Sequence, residues 1–218
     1  MKCARYCSIL LFFFCVISLA ATTIILVPWG DATQQGRGRI IGDSFERTIS
    51  WKIATEVQQH LRNTHPHVAV LISRQPGDVL EPWATAQYAN HTQADCAFVL
   101  GCYPQNNTVL SCDLYMYRAK GNNRIKTQQP LRFLRCDQAY QLAGEKTHSI
   151  AQCCAESLRT NKTLQIHGPF SLPCTPLCGF AVPAVHCEWG LPHEESWRSC
   201  VMPLVDALKS VILLCRDR

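Results

Sequence analysis

Short apolar runs alternate with amphipathic segments along the chain, and this alternation is the feature that most constrains its fold. Residues 23–29 form an unbroken run rich in Ile and Val, typical of a strand buried on both faces. A Gly-rich polar loop follows. After it, apolar residues recur every fourth position and predict a helix with one buried stripe, at Ile49, Ile53, Val57 and Leu61.

The same alternation of apolar runs and amphipathic segments extends to the end of the chain. It predicts further strands at residues 67–74, 96–103, 109–118 and 180–190, and further helices at residues 83–95, 136–160 and 195–215. The amphipathic run 109–118 suggests a strand at a sheet edge. Alternating strands and helices predict an α/β fold, a mostly parallel twisted sheet with helices on both faces in three layers. Such sheets carry their sites at the carboxyl ends of the strands.

The N-terminus has the pattern of a secretory signal. Lys2 and Arg5 precede an apolar run, and small residues at 18–20 suit a cleavage site. We therefore expect residues 1–20 to be a signal peptide and residues 21–218 to form a single exported domain, periplasmic or secreted. The apolar run is short for a membrane span, so we expect no stable span after cleavage; an uncleaved anchor is the alternative.

Charge and cysteine content narrow the class of protein. Without Lys2 and Arg5 the chain keeps 19 basic and 16 acidic residues, and a net charge of +3 is too small to favour nucleic acid. Eleven of the 14 cysteines lie beyond residue 20. In an exported chain so many thiols predict disulfides, and an odd number leaves at least one free or paired between chains.

Two carboxylates fall near the carboxyl ends of predicted strands, where sheets of this kind carry their sites. Glu46 stands three residues after Asp43, a spacing that a helix-capping box also explains, with Asp43 as the cap. Glu188 ends the last apolar strand, where a charge is costly unless it is paired, for example with Arg74, or bound. A carboxylate in such a place also suits a general acid or base beside a metal ion.

The order and spacing of several motifs resemble the zinc-dependent N-acetylmuramoyl-L-alanine amidases of bacterial cell-wall turnover, over about residues 23–215. The matching positions are Glu46 with Ile49, Ile53 and Ala54 in the first helix, Ile72-Ser73-Arg74, Ala89-Asn90, Ala94-Asp95, and Pro183-Ala184-Val185 with Glu188 and Gly190 in the last strand. The resemblance implies a peptidoglycan amidase in which two His and one Glu hold zinc. It places Glu46 at the ligand position and Glu188 at the position of the catalytic glutamate.

The sequence departs from this family at both histidine ligands. The first strand of the family ends in Asp-Pro-Gly-His-Gly-Gly, and here the His position falls on Gly30, or on Asp31 with a shift of one residue. The third strand of the family ends in Ser-Ile-His-Ala-Asn, and here the His position falls on Gly101, or on Cys102 with a similar shift. Glycine offers no donor atom, and zinc sites use about three protein ligands.

Two hypotheses follow for the metal. In the first, the fold survives, zinc is absent or weakly bound, and Glu46 is a remnant ligand. In the second, an active amidase rebuilds the site from Asp31, Glu46 and Cys102, with help from His186, which shares a strand face with Glu188.

We expect the first, a pseudoenzyme-like exported protein that acts on or binds peptidoglycan or an envelope protein. Trp29 and Trp189 would line its cleft, because aromatic faces stack on sugar rings. A disulfide-rich structural envelope protein is a third possibility. If catalysis remains, Glu188 would be the general acid or base.

Overall fold

A six-stranded sheet forms the centre of the protein in the computed structural model, which describes residues 22–81, 83–119 and 135–216. The predicted signal peptide lies outside these residues. The strands are β1 (Thr23–Pro28), β4 (Ala69–Ile72), β5 (Cys96–Pro104), β6 (Ser111–Tyr117), β7 (Gln165–Leu172) and β8 (Ala184–Leu191). A separate small hairpin pairs β2 (Ile40–Ile41) with β3 (Ser44–Phe45).

The strand order is β4-β1-β5-β8-β6-β7. The pairs within β4-β1-β5-β8 are parallel, β6 runs antiparallel to β8, and β7 runs parallel to β6. This order confirms the prediction of a mostly parallel sheet. It also shows that β6 is an inner strand, so the expectation of an edge strand there was wrong.

The edge beside β6 is formed by β7, which the sequence pattern did not predict. Gly168 and Pro169 interrupt its apolar residues, and the register with β6 shifts between Asp113 and Tyr115. Proline is tolerated on an edge strand because no partner there needs its missing N–H.

Helices cover both faces, as predicted. They are α1 (Glu46–Thr64), α2 (Ala84–His91), α3 (Gly144–Arg159) and α4 (Trp197–Arg216). The apolar stripes of α1, α3 and α4 pack on one face of the sheet, and α2 packs on the other with Leu177 and Phe180. The long helix predicted at 136–160 is divided, because residues Cys136–Leu142 form a 3-10 helix before α3 begins.

Within the described residues, none of the helices combines the length and apolar character that crossing a membrane requires. None of the eleven cysteines of this part is in a disulfide bond in the structure, so disulfide formation stays a prediction.

Candidate functional site

Glu46 is the buried centre of the site. It is the first residue of α1, and the β2–β3 hairpin brings the chain back to it. One carboxylate oxygen accepts the backbone N–H of Cys102 at 2.9 Å, and the other accepts that of Arg39 at 3.1 Å. The helix begins after Phe45 without a side-chain cap, so the capping-box interpretation of Asp43 and Glu46 was wrong. The Glu46 carboxylate instead joins the loop before β2 to the end of β5.

Glu188 lies opposite Gly101, where β8 pairs with β5. Its carboxylate accepts a hydrogen bond from the Arg39 guanidinium at 2.6 Å. The partner suggested from the sequence, Arg74, is buried elsewhere and donates hydrogen bonds to the backbone carbonyls of Pro28 and Arg47. Glu188 is therefore salt-bridged, but by a residue of the Gly-rich loop.

The two positions that correspond to histidine ligands have no room for a side chain. A Cβ atom added to Gly101 would lie 2.6 Å from His186 Nε2 and 3.2 Å from a Glu46 oxygen. Gly30 has a φ of +87°, and a Cβ there would lie 2.6 Å from the carbonyl oxygen of Gly36. Real Cβ atoms essentially never lie within 3.0 Å of another heavy atom of this kind, so both strand ends are packed around glycine.

His186 fills the space beside Gly101. Its ring is buried, its Nδ1 lies 3.5 Å from the Cys174 sulfur, and it packs on the Tyr115 ring at 5.8 Å between centroids. Its Nε2 atom has no hydrogen-bond partner in the described structure. Desolvation lowers the pKa of His186 to about 4, although the Glu188 carboxylate acts in the opposite direction. The imidazole is therefore neutral at pH 7.

Among the described residues, the side chains of Asp31 and Cys102 do not form a metal-binding group with Glu46. The Asp31 carboxylate accepts hydrogen bonds from the Thr33 hydroxyl and from the backbone N–H groups of Thr33 and Leu80. Partial burial alone would raise its pKa, but these bonds hold it below the ordinary value. The Cys102 side chain is fully buried in the layer that contains Cys200 of α4, and burial raises the pKa of its thiol well above the ordinary value.

The rebuilt metal site therefore has no geometric support. Within the residues that the structure describes, no three His, Cys, Asp or Glu side chains are grouped so that they could hold a metal ion. The zinc of the amidases does not fit either. Of the three ligand positions only Glu46 offers a donor, and the Arg39 guanidinium carries positive charge to within 4.0 Å of it.

The two tryptophans expected in a cleft lie on opposite faces of the sheet. Trp29 is half-buried and lines a cavity of about 410 Å³ together with Leu80, Trp83 and Phe180. Trp189 is fully buried among α1, α3 and α4, because it is one residue from Glu188 and side chains alternate along a strand. The expectation that Trp189 lines the cleft was wrong.

This chain is similar to known proteins in its three-dimensional structure. No family model matches the sequence, and no curated protein is similar to it in sequence. An N-acetylmuramyl-L-alanine amidase from Mycobacterium smegmatis superposes with a TM-score of 0.63 at 14% identity, over 89% of this chain and 98% of that one. An amidase of Nostoc punctiforme superposes with a TM-score of 0.62 at 14% identity, over 91% of this chain and 98% of that one. An amidase catalytic domain from Paenibacillus polymyxa var. colistinus superposes with a TM-score of 0.60 at 12% identity, over 88% of this chain and 98% of that one.

The chain has the fold of N-acetylmuramoyl-L-alanine amidase catalytic domains. This confirms the fold that the sequence motifs implied. At such low identity the likeness concerns the fold alone, and the residues of the site have to carry any argument about activity.

The neutral, buried His186 leads to a prediction about pH. Its pKa is near 6.5 when unfolded and about 4 when folded, so between these values only the unfolded chain binds the proton. Its contribution to stability is complete above pH 6.5 and is lost as the pH falls towards 4, an effect of about 2–3 kcal/mol. We expect the melting temperature of the wild type to fall more between pH 7 and pH 4.5 than that of His186→Leu. Equal falls in the two proteins would contradict this.

Proposed function

We propose that this protein is an exported, non-hydrolytic relative of the cell-wall amidases that binds peptidoglycan. The observation that carries the proposal is the packing at Gly101. A metal-binding side chain is missing there, and the space is filled by His186, whose Nε2 has no partner in the described structure. Gly30, the other ligand position, is packed just as closely. Zinc-dependent hydrolysis needs a metal with an open coordination position, and one donor does not hold such an ion.

Binding of glycan is supported by the cavity beside β1. Trp29 and Trp83 contribute to its wall, and Trp83 is 44% exposed. Aromatic faces of this kind stack well on the apolar faces of sugar rings. The cavity also includes Gly30 and Gly38, so it continues into the end of the sheet where amidase catalytic domains have their ligands.

The proposal predicts binding without cleavage. We expect the purified mature chain to sediment with insoluble peptidoglycan, to release no dye from dye-labelled peptidoglycan, and to contain no stoichiometric zinc. Dye release that Glu188→Gln abolishes would show an active amidase, and bound zinc lost in Asp31→Ala or Cys102→Ala would support the rebuilt site. Failure to sediment would favour the structural envelope protein.

A further inference from the structure

The Arg39 guanidinium lies between the two carboxylates of the site. Its Nη1 atom is 2.6 Å from a Glu188 oxygen and 4.0 Å from a Glu46 oxygen, and it also donates to the Cys102 carbonyl at 3.2 Å. The two carboxylate side chains are 15% and 4% exposed, so neither is well solvated. Arg39 makes ionic contact with both carboxylates.

The backbone holds Arg39 in this place. The N–H of Arg39 donates to the Glu46 carboxylate, and the carbonyl of Arg39 accepts the N–H of Glu46 at 2.8 Å. The residue before it, Gly38, has a φ of +73°, and a Cβ there would lie 2.7 Å from both Glu46 Cβ and a Glu46 carboxylate oxygen. The loop therefore needs glycine at 38 to approach Glu46 so closely.

Two carboxylates in a poorly solvated place repel each other, and the charged forms are stable only beside a cation or hydrogen-bond donors. A bound metal ion is often the largest local charge in such a site. Among the residues that the structure describes, no three donor side chains are grouped to hold a metal ion. Instead a guanidinium, which stays protonated at any physiological pH, is bonded to one carboxylate and close to the other.

We propose that Arg39 is the built-in cation of this site and neutralises Glu46 and Glu188 in place of a metal ion. The inference rests on the proposed function, because it assumes that no zinc enters the site. It makes the end of the sheet independent of metal for its folding, and it assigns a role to the Gly-rich loop, which brings Arg39 to the carboxylates.

A double-mutant cycle tests the proposal by thermal unfolding in buffer with EDTA. Arg39→Met keeps the aliphatic length of the side chain and removes the charge. Because the side chain is half-exposed, we expect its melting temperature to be about 2–4 °C lower than that of the wild type. In a Glu188→Gln background the same substitution should cost at most half as much, because one of the two carboxylates is no longer charged. Arg37→Met is the matched control, since Arg37 packs over Phe45 and forms no ion pair in the described structure.

The melting temperatures of these variants distinguish a neutralising role of Arg39 from its absence. Coupling between Arg39 and Glu188, with no change of the wild-type melting temperature on replacing EDTA by equimolar zinc, supports the proposal. Equal losses in both backgrounds, a loss of the same size in Arg37→Met, or a wild-type melting temperature raised by zinc would overturn it. Since the cycle contains no peptidoglycan, the proposal can fail while sedimentation with the polymer succeeds, and the reverse also holds.

Discussion

Restoring a histidine at Gly101 is expected to destabilise the protein by about 3 kcal/mol. The new Cβ would lie 2.6 Å from His186 Nε2 and 3.2 Å from the Glu46 carboxylate. Neither neighbour can move away easily, because His186 is enclosed by Tyr115 and Cys174, and Glu46 is fixed by backbone N–H groups. The measurement is the free energy of unfolding of Gly101→His from denaturant titration.

A control and a rescue make this prediction specific. Gly144→His places the same side chain at the start of α3, where an added Cβ meets nothing within 4 Å, and we expect no loss of stability there. Removing the obstructing ring in Gly101→His/His186→Ala should recover much of the loss. A stable Gly101→His protein with His186 intact would mean that the packing around the ligand position is not as tight as the structure has it.

The extent to which the fold could be predicted follows from how the elements are buried. β1 and β5 are covered on both faces, so their residues are almost all apolar and the runs are easy to recognise. The helix α1 is buried along one stripe, and its period of about four residues was equally clear. Strand β7 is largely exposed and contains Gly168 and Pro169, so its sequence resembles a loop, and only its pairing with β6 makes it a strand.

The site was less predictable because its contacts join distant parts of the chain. Glu46 and Glu188 were found through their places at a helix start and a strand end, and the structure does bring them to the same guanidinium. Arg39 was missed, since a single arginine in a polar loop has no periodicity or spacing that marks it. The run Gly36-Arg37-Gly38-Arg39 offered one signal, because glycines on either side of charged residues allow a close approach of the backbone.

The meaning of glycine at the ligand positions also needed the structure. The sequence shows that Gly30 and Gly101 lack donor atoms. It does not show that His186, on a different strand, occupies the space left at Gly101, because the register between β5 and β8 sets that contact. The structure therefore turns a missing ligand into a packed position, which is a stronger argument against zinc binding.

The two tryptophans of the predicted cleft give the second large effect, and they should behave in opposite ways. Trp189 is fully buried, so Trp189→Ala leaves a large cavity and is expected to lower the free energy of unfolding by about 3–5 kcal/mol. Trp189→Phe should retain most of the stability, because the indole N–H has no hydrogen-bond partner in the described structure. Trp29 is partly exposed on the cavity wall, and Trp29→Ala should cost less, about 2 kcal/mol.

Sedimentation with peptidoglycan then separates packing from binding. Under conditions where each variant is folded by circular dichroism, Trp29→Ala should lose most of its retention on the polymer, because it loses a face on which a sugar ring can stack. Trp189→Phe should bind as the wild type does, since its side chain lies on the opposite face of the sheet from the cavity. Full retention by Trp29→Ala together with loss in Trp189→Phe would place the binding surface on the wrong side of the sheet for this proposal, and the cavity beside β1 would no longer support it.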